Sequence, residues 1–598
     1  MPLDPIEVEQ SAQLGQGMPN IAPDGSQLIA FRTIKPAGFT SVLIERLNGS
    51  AFSEQIDLAQ NNNVENPSLS FTNDGGMHAV WGIGTNGALA QESTRPPGGE
   101  FNPATNVANC NRFVDSAAGP NGEVAVVCSH NEASIPPNTY WLGTSPALGP
   151  VTVNEQLNPP VYDSFIQPRL AWGKDGTLAV VADYWTTSTS PPPANKTRRV
   201  RALIRNPAQG VNATIDFANV TQPDEIAVNG EPVVLDDGTV AFATGGTGGA
   251  LVQIRPPGAA TAFAAHVLDG EAATQPGIDA AQNIHVMSVE QSPTRGYWAN
   301  VKPPGGTFGA PVPIPLAGAG DPYIPYDGFR VAPDGTEYAV IRADDGIYAT
   351  SRSPGQASFE TPSLLGAGVA TANPEVAVTG EGDLLASWPI EAAPGDIRLF
   401  VGGLDKTPPE VTVSSFPVQA AAGAELSFSA GASDDMGLRS VGWDFGDGVV
   451  AGDTATSSFG PGSHPVSFTA TDRAGNETVV RRTVRVPGVP GEGTLTMKVV
   501  TPKNLRFRTL ARRGLKVRVS SNQPLRIKAR IATSRKKLGK KPLRTLSVRT
   551  LKRRHVLRVK PNKKRLGKRR NLKLFVRVTG TTAEGKSVTR IKKVKIRR

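Results

Sequence analysis

Four sets of residues in this chain have types that could do chemistry. Six histidines, His78, His130, His266, His285, His464 and His555, serve 598 residues. None pairs with another at the i, i+3 or i, i+4 spacing that turns two ring nitrogens toward one metal, and no His-Glu-x-x-His occurs. Asp163, Asp183 and Asp327 stand near the ends of strand-like runs and could pair as acid and base on a glycosidic bond. Tyr184-Trp185 and Tyr297-Trp298 lie beside irregular segments and suit stacking on a sugar or contact with a protein. Asp434, Asp435, Asp444 and Asp447 have the hard oxygens calcium prefers. Ser-Asp-Asp and Asp-Gly are also ordinary turn chemistry, so no metal and no other cofactor is expected. Without a Gly-x-Ser-x-Gly elbow no catalytic residue is assigned, and a binding role is favoured over an enzymatic one.

The elements that would position these residues follow from a repeat. NIAPDGSQLIAF, SFTNDGGMHAVW, AAGPNGEVAVVC, AWGKDGTLAVVA, VVLDDGTVAFAT, GIDAAQNIHVMS, RVAPDGTEYAVI and AVTGEGDLLASW place a turn position at Gly25, Gly75, Gly122, Gly176, Gly238, Gln282, Gly335 and Gly382. Eight units of about fifty residues have the period of a propeller. In six of them Asp-Gly or Asn-Gly supplies the positive φ of a tight hairpin between two alternating strands. A third strand follows, then a turn such as RPPGG or KPPGG, where proline fixes the entry and glycine accepts the exit angle, then a fourth strand.

The expected fold is therefore all-β, with an eight-bladed β-propeller over 1–405, or seven blades if the eroded sixth unit does not form one. The eighth unit stops after its third strand, and residues 5–14 are expected to supply the fourth by pairing with 397–405. IAPDGSQLIAF resembles the repeat of TolB-like and WD40-like propellers, which implies a fold and no particular activity.

Residues 406–488 change pattern. SVGWDFGDG (440–448) and FGPGSHPVSFTATDRAGN (459–476) resemble the PKD (polycystic kidney disease) family through Trp443, Asp444, Phe445, Gly446, Asp447, Gly448, Pro461, Gly462, Thr471 and Asp472. Phe459 stands where that family carries a tyrosine. The resemblance implies an immunoglobulin-like sandwich that serves as a spacer or binding module of extracellular proteins.

Residues 489–598 form the third expected domain, a small basic β-sandwich. The overall charge of +11 hides a division: residues 491–598 carry 38 Lys or Arg and two acids, leaving 1–490 at −25. LKVRVSS, LRIKARIA and SVTRIKKVKIRR alternate apolar and basic residues as half-buried strands do. The region resembles the Lys/Arg-rich C-terminal β-domains of exported actinobacterial proteins. Arg535, Lys536, Lys537, Lys540, Lys541, Lys563, Lys564, Arg565, Lys568, Arg569 and Arg570 crowd two loops and are the expected polyanion contacts. The favoured partner is an anionic cell-envelope polymer or polysaccharide. Nucleic acid is the lesser alternative, because stacking platforms are scarce, and docking on the acidic body is another. A protein ligand on a propeller face is also open.

Cys110 and Cys128 could form a disulfide or remain buried thiols. A hairpin drawn around Asn121-Gly122 sets Cys128 opposite Phe113 or Val114, so a bridge requires the chain to curl. No stretch is apolar enough for a transmembrane segment and no signal peptide is visible at the start, yet the modular architecture suits the cell surface or the extracellular space. The expected function is a non-enzymatic surface-binding or scaffold protein; a propeller glycoside hydrolase or polysaccharide lyase and a nucleic-acid binder are the alternatives.

Overall fold

The computed structural model describes residues 2–597, apart from 3–4, 12–16, 23–26, 36–37, 48–50, 53–55, 61–63, 84–87, 131–138, 147–148, 158–163, 188–195, 218–226, 229, 246–248, 259–262, 291–294, 326, 488–493, 563–570 and 584. Packing divides the chain into two compact units. One comprises 1–415 with 429–455 and 467–481, and the other 416–428 with 456–466 and 482–598.

Local chemistry in the repeats is that expected of hairpins. The turn positions Gly75, Gly122, Gly176, Gly238, Gly335 and Gly382 all have φ between 85° and 103°. Gln282 holds the same left-handed conformation at φ 64° although it carries a side chain. Its amide donates to the Asp279 carbonyl, as the Gly335 and Gly382 amides do to Ala332 and Thr379, so the eroded unit keeps its turn at some cost in strain. The preceding aspartates tighten these turns, Asp175 and Asp334 accepting from the amides of Thr177 and Thr336 at 2.9 and 2.8 Å. The proline-glycine turns lie between third and fourth strands: Gly99 donates to the Pro96 carbonyl and Gly306 to that of Pro303.

The resulting sheets are antiparallel and mostly four-stranded. One series runs Ser164–Trp172, Leu178–Thr187, Lys196–Asn206 and Val211–Phe217, and another Phe329–Val331, Glu337–Arg342, Gly346–Arg352 and Ser363–Ala367. The fifth and sixth units are joined into one ten-stranded sheet by the short strand Ala272–Ala273, which pairs with both Val240–Gly245 and Ile284–Glu290. In the last sheet, Ile6–Ser11 pairs antiparallel with Asp396–Leu404, matching Ile6 with Val401 and Ser11 with Ile397. The first strand of this sheet, Glu375–Val378, packs against Met18–Ile21, the first strand of the first repeat.

Cores form between consecutive sheets. Trp81 and Trp388 are fully buried, Trp388 among Tyr338, Val340 and Leu384. His78 and His285 are also internal. His78 Nε2 meets Glu92 at 2.8 Å, and His285 reaches Asp279 at 3.2 Å and Glu337 of the next sheet at 2.8 Å. Both histidines hydrogen-bond buried carboxylates, as polar groups must find partners when withdrawn from water.

Cys110 and Cys128 are bridged, their Cα atoms 5.5 Å apart. The register places Arg112 opposite Ser129 and Asp115 opposite Val127, so Cys128 does face the 113–114 stretch. The required curl is present as an irregularity between Arg112 and Asp115 and a left-handed Asn109 at φ 60°.

Beyond the repeats, Glu410–Ser415, Glu425–Ser433 and Thr454–Ser458 form one small sheet. Val449–Ala451, Leu438–Asp444, Gly462–Asp472 and Glu477–Val486 form another. The basic region departs from a sandwich of separate sheets. Its six strands make one sheet, because the eighteen-residue strand Leu515–Ala532 breaks register between Ser520 and Ile527 and pairs with Arg544–Val559, Met497–Val500 and Asn571–Thr581. Alternation is strict along it: Leu515, Val517, Leu525 and Ile527 are buried while Lys516, Arg518, Arg526 and Lys528 are exposed.

Removing residues 1–16 exposes the partnered edge of Asp396–Leu404 and uncovers Leu399 and Val401, both almost fully buried. Circular dichroism melts are expected to show a midpoint several degrees below that of the full chain; an unchanged midpoint would show that the pairing contributes nothing.

Candidate functional site

Because first strands of successive sheets pack side by side, equivalent positions on them converge. Seven residues before each turn position stand Met18, Ser68, Asp115, Arg169, Glu231, Gln275, Gly328 (with Asp327 beside it) and Glu375. These include a cationic and several acidic groups that act on one another electrostatically. Asp115 joins three strands, accepting from Ser68 Oγ at 3.4 Å, from the Ser116 amide at 3.0 Å and from the Leu170 amide at 3.3 Å. Gln275 donates to Glu231 at 3.4 Å.

Burial pushes the Asp115 carboxyl up to about 7, with Glu231 adding to the shift and Arg169 opposing it. Burial likewise lifts Glu375 to about 7, reinforced by Asp327 and opposed by Arg330 and Arg169. Burial works against the Arg169 guanidinium, but Asp115, Glu231, Asp327 and Glu375 more than offset it. A carboxylic acid that keeps its proton near neutrality, beside another carboxylate and an arginine, can donate a proton or bind an anionic or hydroxylated ligand.

A second acidic cluster lies at the end of the last repeat. Asp383 follows its turn and Asp405 follows its third strand, Asp396–Leu404; in the next segment Asp434 and Asp435 come from a loop and Asp472 ends the strand Gly462–Asp472. One carboxylate oxygen from each of Asp405, Asp434 and Asp472 lies within 4.8 Å of the others. Backbone holds one oxygen of each: Asp405 Oδ1 accepts from the Thr407 amide, Asp434 Oδ1 from the Met436 amide at 3.0 Å, and Asp472 Oδ1 from the amides of Gly475 and Asn476 at 2.6 and 2.8 Å. Asp383 Oδ1 accepts from Lys406 and Thr407. Burial raises Asp405 to about 8, with Asp383, Asp434 and Asp472 adding repulsion. Asp434 is raised to about 7 by burial and then by Asp435 and Asp472.

The residues singled out from sequence are dispersed. Asp327 joins the first acidic array. Asp183, Tyr184 and Trp185 lie on Leu178–Thr187, paired with Val200, Arg199 and Arg198; their side chains and Asp163 lie outside the described residues. Tyr297 is 4% exposed and packs in a core with Met287 and Phe329, which removes it from any surface site, while Trp298 is half-buried. Asp444 accepts the expected turn bond from the Gly446 amide at 2.8 Å, and the carboxylate group around Asp434 includes Asp405 and Asp472 but neither Asp444 nor Asp447. Among the basic loop residues, Arg535, Lys536, Lys537, Lys540 and Lys541 are exposed around the short helix Lys537–Lys540. Lys563, Lys564, Arg565, Lys568, Arg569 and Arg570 lie outside the described residues.

One segment has a clear relative. Residues 406–486 match the PKD domain family. The PKD segment thus contributes Asp434, Asp435 and Asp472, and the repeats contribute Asp383 and Asp405. No curated protein sequence matches the chain. Among solved structures, similarity is distant. A fungal alcohol oxidase of the AA5 family in complex with copper is 14% identical, covering 81% of this chain and 99% of its own at a TM-score of 0.38. An ulvan lyase of polysaccharide lyase family PL25 is 11% identical over 67% and 93% at 0.37. Prolyl oligopeptidase B from Galerina marginata is 8% identical over 63% and 55% at 0.38.

The raised Glu375 carboxyl sets a pH dependence. A carboxyl whose value is higher folded than unfolded stabilises the fold fully below its unfolded value, and that stabilisation is lost as pH rises through about 7. Glu375→Gln is therefore expected to melt close to the parent at pH 5 and to gain on it by pH 8, on the order of 1–2 kcal/mol. Parallel melts of parent and variant would measure this, and a constant offset across the range would refute it.

Proposed function

We propose that the chain is an extracellular or cell-surface binding protein. In this reading the repeat series is an eight-bladed propeller closed by its N-terminal strand, and its converging first strands line the axis. The PKD domain serves as a spacer, and the basic β-domain anchors the molecule electrostatically to an anionic envelope polymer. The disulfide supports an oxidising compartment, and no helix among the described residues is long and apolar enough to cross a membrane.

The observation that carries the anchoring role is the placement of like charges directly opposite one another on the basic sheet. Lys516 faces Arg558, Arg530 faces Arg577, and Lys573 faces Lys595. Cross-strand like charges destabilise a sheet by a few tenths of a kcal/mol to about 1 kcal/mol per pair. Among the described residues no acid forms an ion pair in this region. Such an arrangement gains from an external polyanion what it lacks internally. At one end, Lys498, Arg553, Arg554 and Arg590 line a recess of about 500 Å³ together with Ser520, Ser521 and Asn522. This offers a charged and hydroxyl-lined seat for a phosphate, sulfate or carboxylate group of such a polymer.

A second reading, a hydrolase or lyase of polysaccharide, is favoured by one observation, the Glu375 carboxyl lifted to about 7 by burial and by the field of Asp327, against that of Arg330. New reducing ends or unsaturated products from a polysaccharide panel, abolished in Glu375→Gln, would establish it; a blank panel would count against it.

The anchoring role is tested with the full chain and a variant carrying Lys516→Gln, Arg558→Gln, Lys573→Gln and Lys595→Gln. Sedimentation with purified cell envelope is expected to fall steeply with salt and to drop severalfold in the variant, while its melting point holds or rises as cross-strand repulsion is relieved. Equal sedimentation by both proteins would remove these residues from the anchor. Competition by duplex DNA but not by soluble wall polymer would transfer the role to nucleic acid.

A further inference from the structure

The basic region accounts for surface charge, but it leaves unexplained why acids accumulate inside the rest of the chain. Asp383, Asp405 and Asp472 are each fully buried. The second carboxylate oxygens of Asp383, Asp434 and Asp472 have no hydrogen-bond partner, although both Asp383 and Asp472 bury theirs completely. Among the described residues no Lys or Arg forms an ion pair with these three. A buried carboxylate left unpaired costs several kcal/mol. Here the backbone fixes one oxygen of each group, through Lys406, Met436, Gly475 and Asn476, and so presents the other. This is how loops prepare hard-oxygen ligands, with the entropic cost of ordering met before any ion arrives.

We propose that Asp405, Asp434 and Asp472, supported by Asp383 and Asp435, hold a divalent cation of the calcium class that bridges the last repeat and the PKD segment. Carboxylates alone favour a hard cation over zinc, which takes nitrogen and sulfur. Several protein carboxylates around one point suit calcium better than magnesium, which keeps most of its water. The bridge would reinforce contacts already present: Asn476 donates to both the carbonyl and the carboxylate of Asp405, at 3.3 and 3.2 Å, and Gln27 donates to the Asp435 carbonyl at 2.7 Å. Met436, two residues from Asp434, is fully buried among Ile29, Phe31, Leu385 and Leu399 of the repeats. The cation therefore locks a seam that apolar packing already closes.

The site is not the polyanion anchor and does not depend on it. It is tested on the full chain, freed of metal by chelator and dialysed against calcium chloride, with parallel melts in calcium and in chelator. Calcium is expected to bind saturably at one site with a dissociation constant at or below about 1 mM and to raise the melting point. Asp434→Asn, at a half-buried position that tolerates an amide, separates ligation from a merely crowded set of acids. In chelator the variant should melt at or above the parent, because one repulsive charge is gone. In calcium it should bind at least about tenfold more weakly and lose most of the shift. Asp472→Asn provides the same comparison at the fully buried ligand. No saturable binding at about 10 mM calcium, or an equal shift in parent and both variants, would overturn the proposal, as would an equal shift with magnesium for the calcium assignment.

Discussion

Short strands in a four-stranded sheet cannot bury both faces alone, and this constraint organises the first four hundred residues. Each sheet covers its apolar faces against the next, as Trp388 does among Tyr338, Val340 and Leu384, and each leaves edges that invite unwanted pairing. The last sheet meets the edge problem by taking Ile6–Ser11 from the far end of the chain, so the ends of the repeat series are held by one ladder of hydrogen bonds. Side-by-side packing of first strands has an electrostatic consequence. Whatever the repeat places seven residues before its turn is brought together with its equivalents, and in Asp115, Arg169, Glu231 and Glu375 the sequence has placed charge there.

The molecule handles like charge in two opposite ways. On the basic sheet, lysines and arginines stand on the solvent face above a continuous apolar core of Val517, Ile527, Leu574 and Val594, where water and counterions screen their repulsion. In the repeats, acids are drawn inward, where screening fails and the charged form is disfavoured. An acid in that position must keep its proton, find a donor or meet a cation. Asp115 finds backbone amides and Arg169, whereas Asp383, Asp434 and Asp472 each have amides for one oxygen and no hydrogen-bond partner for the other.

Much of this was legible in the sequence because the signals are local. The Asp-Gly turns, the proline-glycine turns and the missing eighth fourth strand each depend on a few adjacent residues, and the left-handed Gln282 shows that the turn survives the loss of its glycine. The cysteine bridge depended on a bulge that alternation could not announce. The convergence of Asp115, Glu231 and Glu375 was present as a fixed offset from the turn glycine, but an offset acquires meaning only once first strands are known to face one another. The aspartate cluster was less accessible still. Asp434 and Asp435 suggested calcium, but Asp444 and Asp447 were the wrong companions: the neighbours in space, Asp383, Asp405 and Asp472, lie tens of residues away and belong to different sheets. Similarly, Tyr297 offered an aromatic beside an irregular segment, and alternation along its strand turned it into the core.

The burial of these acids changes what the charge division means. Counted by sequence, residues 1–490 carry −25 against +36 in 491–598, which would suggest that the two ends neutralise each other. Yet Asp115, Glu231, Asp327, Glu375, Asp383, Asp405, Asp434, Asp435 and Asp472 are all partly or wholly withdrawn from the surface, and several hold their protons near neutrality. The acidic field that reaches solvent is correspondingly weaker than the count implies, whereas every exposed cation of the basic strands contributes in full. Partial rather than complete compensation within the chain leaves the basic sheet a net attractor of external polyanions, which is the condition an electrostatic anchor requires.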